Sequence, residues 1–545
     1  MLNTILLRWN LTVTVTASQS LSAAFLVLLL SGVAVAEDDS TPVAAGNYEA
    51  TINWLDARLT ALEAKSERPL LITWLFDESA SQKDDQQEIS QQLHRLFASS
   101  SRQRDMLIMS FGERVHQLSR EPQSATGNIR EIQDIRAAID RVPIDETGLE
   151  NLCGAVHTAA GKLSENYAQH KVVLVVVTDE ESSDAGEKGE LLEKAISVCR
   201  ENKVVVFVLG PEATFGVPED RLRWTDPVYA LNHWIAIRRG PASAYSERVL
   251  WNGMGPVMDG TLAGFGPYSQ ERLTRETGGG FFIAMDEFTG TNRQPSAIER
   301  LRKRRAAMAG YEPDWAARTD YLRDVESSPL RLMCRLIVQT LDPSANKRLV
   351  LRERGFSVEL STFRKQGRLE WEDGTQAWHA LNEAIRELEN VRHECDAETS
   401  KRWQANYDLL YAQCLTFRTR LPQYLLALDR HAASNPQPRD PKHNRWVVYV
   451  RRKNPEVPTD EKYLRLKAGL KLSESRDAFL SRLKSDRENA GRLLMRIVLD
   501  HEGTPWAEVA RQEQTRGFAV ELSSYFHDPK YDDPRYRNRL KIPSF

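Results

Sequence analysis

Apolar positions in the first half of the chain follow two alternating rhythms. Residues 70–76, 105–111, 171–177, 204–209 and 281–284 are runs of strand length in which apolar side chains follow one another almost without interruption. The run 171–177 is the clearest, a lysine followed by five valines and one leucine. A strand covered on both faces needs that composition. Between the runs, residues 83–99, 128–141, 187–202 and 268–277 carry apolar positions at helical spacing. So does a helix expected directly after Thr147, marked by Leu149, Leu152, Cys153, Val156, Ala160 and Leu163. Residues 114–118 read as a short partner strand, and Gly278-Gly279-Gly280 as the last turn. The alternation predicts an α/β fold, a doubly wound and mostly parallel sheet, over residues 66–290. Residues 37–65 are read as a segment preceding it.

Beyond residue 290 the rhythm turns helical. A charged connector, 292–324, leads into a stretch that recurs near the C-terminus. Arg354-Gly355-Phe356-Ser357-Val358-Glu359-Leu360-Ser361 matches Arg516-Gly517-Phe518-Ala519-Val520-Glu521-Leu522-Ser523, and 331–338 stands before the first copy much as 492–498 stands before the second. This predicts a duplicated helix–loop–Gly–Phe unit with Gly355 and Gly517 as helix stops. Two copies suit side-by-side packing, since a solenoid needs three or more. Between them, Trp378, Leu381, Ile385 and Leu388 mark one helix, and Trp403, Tyr407, Leu410, Cys414, Phe417 and Leu421 mark another at heptad spacing. An intramolecular hairpin is expected, with an intermolecular coiled coil as the alternative. Residues 434–444 form a Pro-rich linker, and Thr504-Pro505 starts a further helix. The expected mainly α-helical C-terminal region thus divides into 291–375, 376–433 and 434–545.

Chemistry enters at the strand ends. The run 70–76 stops at Asp77-Glu78-Ser79-Ala80-Ser81, where one carboxylate and two hydroxyls leave a buried strand together. That all-oxygen set suits a hard divalent cation such as Mg²⁺. The run 171–177 stops at Thr178-Asp179, a second carboxylate at a strand exit. Groups at the C-terminal ends of parallel strands converge on one crevice. Taken singly, Asp77 could be a helix cap and Asp179 a solvated strand end. Glu180, Glu181 and Asp184 read as solvated loop acids.

Together these residues resemble the von Willebrand factor A family, whose metal-ion-dependent adhesion site uses Asp-x-Ser-x-Ser, a Thr and an Asp on three loops. The resemblance assigns those roles to Asp77, Ser79, Ser81, Thr147 and Asp179. It implies a divalent cation, Mg²⁺ first with Mn²⁺ or Ca²⁺ as alternatives, and a protein partner whose Asp or Glu carboxylate completes the coordination. One departure is large. Residues 211–267 form an insertion rich in Trp, Arg, Gly and Pro that leaves from the metal-bearing edge. Trp224, Trp234, Arg238, Arg239 and Trp251 are its candidate partner-binding residues, with a self-contained subdomain core as the alternative.

The remaining features select among function classes. Residues 1–36 read as a secretory signal, with Arg8, the apolar core 23–30 and the cleavage pattern Ala34-Val35-Ala36. An uncleaved anchor is the alternative, and no later run is apolar enough to span a bilayer. The expected mature chain is exported, periplasmic or extracellular. A net charge of −3 gives no indication of nucleic acid. Five cysteines do not make a disulfide framework, and Cys395 and Cys414 are offset too far along a helix to bridge. Mostly buried free thiols are expected, with room for one unusual pairing.

No His-Glu-x-x-His, Gly-x-Ser-x-Gly, phosphate loop or Cys-x-x-Cys occurs. The expected function is therefore a non-catalytic binding protein. A scaffold acting through the C-terminal repeats, and a hydrolase with its catalytic group elsewhere, are the alternatives. The signal, the insertion and the C-terminal half together resemble exported von Willebrand A proteins of planctomycete-type bacteria, which adds no activity.

Overall fold

Valine-rich runs become central strands because both of their faces are covered. The computed structural model describes residues 43–540 except 94, 99–103, 126–128, 146, 187–188, 258–259, 285–296 and 538. The signal segment 1–36 and the first part of the connector lie outside the described residues. The strands of the first half are β1 (Val43–Gly46), β2 (Leu70–Asp77), β3 (Arg104–Phe111), β4 (Val115–Gln117), β5 (Gln123–Ala125), β6 (Lys171–Val177), β7 (Val205–Gly210), β8 (Asp220–Thr225), β9 (Asn232–Ile237) and β10 (Gly280–Ala284). The main sheet runs β1-β10-β7-β6-β2-β3-β4, with β5 also on β3. Every pair from β1 to β3 is parallel; only β4 and β5 run antiparallel. The expected doubly wound, mostly parallel α/β fold is what the chain forms.

Side chains alternate between two cores. Ile72, Trp74, Phe76, Val173 and Val175 face the helices Tyr48–Lys65, Lys83–Gln92 and Ile129–Ile139. Leu71, Leu75, Leu174, Val176 and Val208 face the helices Leu152–Asn166, Glu190–Glu201 and Tyr268–Glu276. The sheet begins earlier than the expected boundary at 66. Val43 to Gly46 pair with Phe281 to Ala284, and Asn47 caps the Tyr48–Lys65 helix through the Ala50 N–H at 3.0 Å. A four-residue edge strand carries too weak a pattern to stand out in sequence.

The second core continues without a break into the C-terminal half, where it includes Trp378, Phe417 and Leu421. The helix Lys401–Ser434 is buried along nearly its whole length. It packs within the chain against the helices Leu360–Asn390 and Arg476–Asp500. Its buried arginines are each matched: Arg402 with Glu247 at 2.7 Å, Arg418 with Asp486 at 2.6 Å, Arg420 with Glu513 at 2.5 Å. All five cysteines are free thiols, and four are buried. Among the described residues no helix is long and apolar enough to cross a membrane.

The C-terminal half also holds a sheet that the helical reading did not anticipate. It runs β11 (Arg354–Ser357), β12 (Arg445–Arg451), β13 (Ala519–Tyr525), all antiparallel. The duplicated segments supply its two outer strands, one on each side of β12. The copies then diverge. Glu359 caps the Leu360–Asn390 helix by accepting the N–H groups of Ser361 and Thr362 at 2.8 and 2.6 Å. Its counterpart Glu521 lies mid-strand opposite Tyr449. Gly517 ends a helix as expected, whereas Gly355 lies within β11; both have positive φ, +79° and +82°.

Candidate metal centre

The strand order reverses between β2 and β6, and that switch point is where an open α/β sheet forms its crevice. Strand β2 delivers Asp77 there, while β6 delivers Thr178 and Asp179. Asp77 is fully buried. Its Oδ1 accepts the Ser79 N–H at 2.8 Å and its Oδ2 accepts the Thr178 hydroxyl at 2.9 Å. Gln86 donates to the Asp77 carbonyl at 2.8 Å, fixing the turn from below. Ser79 is buried and Ser81 half-buried, and the Ser81 hydroxyl donates to that of Ser79 at 3.2 Å.

A third carboxylate enters from a residue the sequence reading passed over. Carboxylate oxygens of Asp77, Glu150 and Asp179 all lie within 4.8 Å of one another. The expected helix after Thr147 begins only at Leu152, because Gly148 takes a left-handed turn with φ +65°. That delay inverts the pattern. Leu149 is 43 % exposed, whereas Glu150 is 3 % exposed. Thr147 itself is exposed, and its hydroxyl accepts the Leu149 N–H at 3.3 Å. The glycine directly after Thr147 is the one signal in sequence that the helix starts late.

The loop after β6 holds Glu150 in place. Ser183 exchanges two bonds with Glu150, its N–H to the Glu150 carbonyl at 2.8 Å and its Oγ accepting the Glu150 N–H at 3.1 Å. Asp184 caps the Leu152–Asn166 helix by accepting the N–H groups of Cys153 and Gly154 at 3.0 and 2.8 Å. It is therefore not a solvated acid. Nor are its neighbours: Glu180 is buried with its Oε1 accepting the Arg238 N–H at 3.1 Å, and the Ser269 hydroxyl stands 3.4 Å from Glu181.

So much negative charge in little water raises proton affinity. Burial pushes the Asp77 carboxyl up, and the Asp179 charge adds to it; the Ser79 N–H and the Thr178 hydroxyl oppose them. Glu150 is pushed up further, by burial and then by Asp77, Asp179 and Glu180. Burial raises Glu180 to about 7. Among the described residues, Glu150 Oε1 and Asp179 Oδ1 are buried with no hydrogen-bond partner. Buried acceptors are rarely left so. Three clustered carboxylates, two orphaned oxygens and adjacent hydroxyls fit a hard divalent cation.

The insertion borders this edge. Glu181 donates its N–H to the Arg238 carbonyl at 2.7 Å, and the β8–β9 hairpin leads into that contact. Arg238 is exposed, with Glu219 at 3.6 Å, and Arg239 is half-buried. Trp234 is 50 % exposed on β9; Trp224 is half-buried beside His233. Trp251 requires a correction. It is fully buried, edge-on to Phe417 at 5.5 Å, and donates its indole N–H to the Leu349 carbonyl at 2.7 Å. It anchors the insertion to the C-terminal half and presents no surface to a partner.

No family model matches the chain, and no curated protein matches it. Solved structures do match over part of it. One is a von Willebrand factor type A protein from Catenulispora acidiphila, at 11 % identity over 26 % of this chain and 33 % of that one, with a TM-score of 0.23. Another is an aerotolerance-related membrane protein from Bacteroides fragilis, at 14 % identity over 40 % of this chain and 92 % of that one, TM-score 0.23. A third is proximal thread matrix protein 1 from the mussel byssus with a zinc-occupied MIDAS motif, at 16 % identity over 27 % and 36 %, TM-score 0.21. The chain spans about a third of the length of the first of these. The chemistry of the site rests on its own geometry.

Proposed function

We propose that this chain is an exported, non-catalytic binding protein that captures a protein partner through a divalent cation, Mg²⁺ first. Asp77, Glu150 and Asp179 would hold the ion, with the hydroxyls of Ser79, Ser81 and Thr147 as further ligands. The observation that carries this reading is the convergence of three carboxylates at the switch point with two buried oxygens unsatisfied. When bound, such an ion supplies the largest local charge and a coordination position open to a partner's carboxylate. The chain's own part is to aim oxygens and hold them apart from bulk water. Strands β2 and β6 fix Asp77 and Asp179 on rigid elements, and the Ser183 contacts fix Glu150. Arg238, exposed beside Glu180, is the residue placed to meet an acidic partner group. Export rests on the pattern of residues 1–36.

Calorimetry with Mg²⁺ and Mn²⁺ tests the ion. Asp77→Ala and Glu150→Ala are expected to abolish binding while the fold persists, and unchanged affinity in both would remove the assignment. Thr147→Ala separates two ligand sets: a weakened ion makes that hydroxyl a ligand, while no change leaves the second-loop role to Glu150. Capture of a partner from the exported fraction, with and without chelator, tests the rest. A partner retained equally in both conditions refutes a cation-dependent contact.

A further inference from the structure

The duplicated segments meet at a second site. A cavity of about 500 Å³ lies between the insertion and the C-terminal half, and its lining shares no residue with the Asp77 cluster. Its lining includes Arg354 and Arg516, the matching arginines of the two Arg-Gly-Phe copies, together with Arg248 from the insertion. In both copies a glycine with positive φ follows the arginine, although Arg354 opens β11 and Arg516 ends a helix, and both guanidiniums reach one space. Arg248 is 6 % exposed. Arg354 is exposed and Arg516 half-buried.

The carboxylates nearby are already committed. Glu513 is held by the buried Arg420 at 2.5 Å, and Arg516 stands 3.8 Å from its other oxygen. Glu353 accepts the Asn252 side-chain amide at 3.0 Å. Three guanidiniums, those of Arg248, Arg354 and Arg516, line the space with the carboxylates of Glu353 and Glu513. Gln413 and Gln512 add amide groups to the lining. The indole of Trp234, with Val257 and Val350, gives it apolar wall as well. Concave, partly apolar sites with a few convergent polar groups are how proteins hold small molecules, and this volume is within their usual range. Arginine is the side chain suited to planar oxyanions and to ring faces.

We propose that this cavity binds a small anion, a carboxylate or phosphate ester joined to a flat apolar ring. The anion meets Arg354, Arg516 and Arg248, and the ring meets the Trp234 indole. The site is independent of the cation reading, because none of its lining residues belongs to the Asp77 cluster.

Terephthalate and phenyl phosphate are the probes, with benzamide as the neutral ring of similar size. Titrated into the full chain, at least one anion is expected to bind saturably, change tryptophan fluorescence and weaken as salt rises. Whichever anion binds more tightly names the group recognised. The double variant Arg354→Gln/Arg516→Gln is expected to bind at least about tenfold more weakly, the scale of lost charge-assisted hydrogen bonds. Both side chains reach solvent, so circular dichroism should be unchanged. Trp234→Phe should retain binding and lose most of the fluorescence response, and Asp77→Ala should bind the anion as the parent does. The proposal is overturned if neither anion saturates at millimolar concentration, if benzamide binds equally well, or if the double variant, folded, binds unchanged.

Discussion

Three carboxylates cannot all be charged in so small a space without a counter-ion, and that makes cation uptake a proton exchange. The oxygens of Asp77, Glu150 and Asp179 lie within 4.8 Å of one another, so at an effective dielectric of about 20 each like-charged pair costs at least about 3 kcal/mol. The last carboxylate to ionise meets two such pairs, about 7 kcal/mol. Around neutral pH the set therefore keeps about one proton when no cation is bound, in line with the raised Asp77 and Glu150 carboxyls. Binding a divalent cation must expel it. Affinity for Mg²⁺ or Mn²⁺ is expected to rise about tenfold per pH unit near neutrality, and Glu150→Gln should flatten that slope and weaken binding at high pH. The folding linkage has the same origin. A carboxyl raised in the folded state gives stability that is complete below its unfolded value and lost as pH rises through its folded value. Without cation, stability should thus fall from mildly acid to mildly alkaline pH, and saturating cation should restore it. Calorimetry in two buffers of different ionisation enthalpy measures the proton released. Identical heats in both buffers, with affinity flat across neutral pH, would refute the electrostatic argument.

Three further outcomes follow from the packing. Trp251→Ala should cost about 3–5 kcal/mol in denaturant unfolding because a fully buried indole and its bond to Leu349 are lost, whereas Trp234→Ala on the exposed hairpin should stay within about 0.5 kcal/mol. Equal effects would contradict the burial of Trp251. Glu247→Ala should cost about 3–5 kcal/mol, since it strands the buried Arg402 guanidinium and removes the acceptor of Asn406 and Tyr321; an unfolding midpoint equal to the parent's would contradict it. His431, between the rings of Phe363 and Trp446, is pushed down to about 4 by burial and by Arg430, so it adds a loss of stability as pH falls from about 6.5 towards 4. His431→Phe should remove that part of the acid dependence, as thermal melts across the window will show.

Strands were legible wherever both faces are buried. Lys171–Val177 and Leu70–Asp77 carry their assignment in composition alone, and their order along the chain places Asp77 and Asp179 on one edge. Legibility failed where a few residues decide. Val43–Gly46 is too short to show a period, and its place comes from pairing with β10. Gly148 postpones a helix start and so brings Glu150, which the helical pattern did not mark, to the carboxylate cluster. The repeat was visible, but the fate of each copy was not. The same Val-Glu-Leu-Ser begins a helix after β11 and continues as strand in β13, because only the second copy has β12 to pair with along its full length. Local sequence proposes and tertiary context decides.

The insertion is the element whose meaning changes most once its contacts are known. A loop of this length at a binding edge invites a reading as a detachable recognition module. Its contacts argue otherwise. Midway along it, Arg238 and Glu181 share a backbone bond beside Asp179. On either side of that point, Glu247 pairs with Arg402, Phe215 meets Trp506 edge-on at 4.7 Å, and Trp251 packs on Phe417. Both Arg402 and Phe417 lie on the buried Lys401–Ser434 helix. The hairpin is also covered from the C-terminal side, where Tyr531 donates to the Asn232 carbonyl at 2.7 Å. Displacing the insertion from the cation edge would therefore strain packed aromatic and ionic contacts across the C-terminal body, since close-packed interiors do not deform smoothly. The helical half is thus the support that fixes how the insertion meets the sheet, which gives the duplicated segments a role without requiring them to bind the same partner.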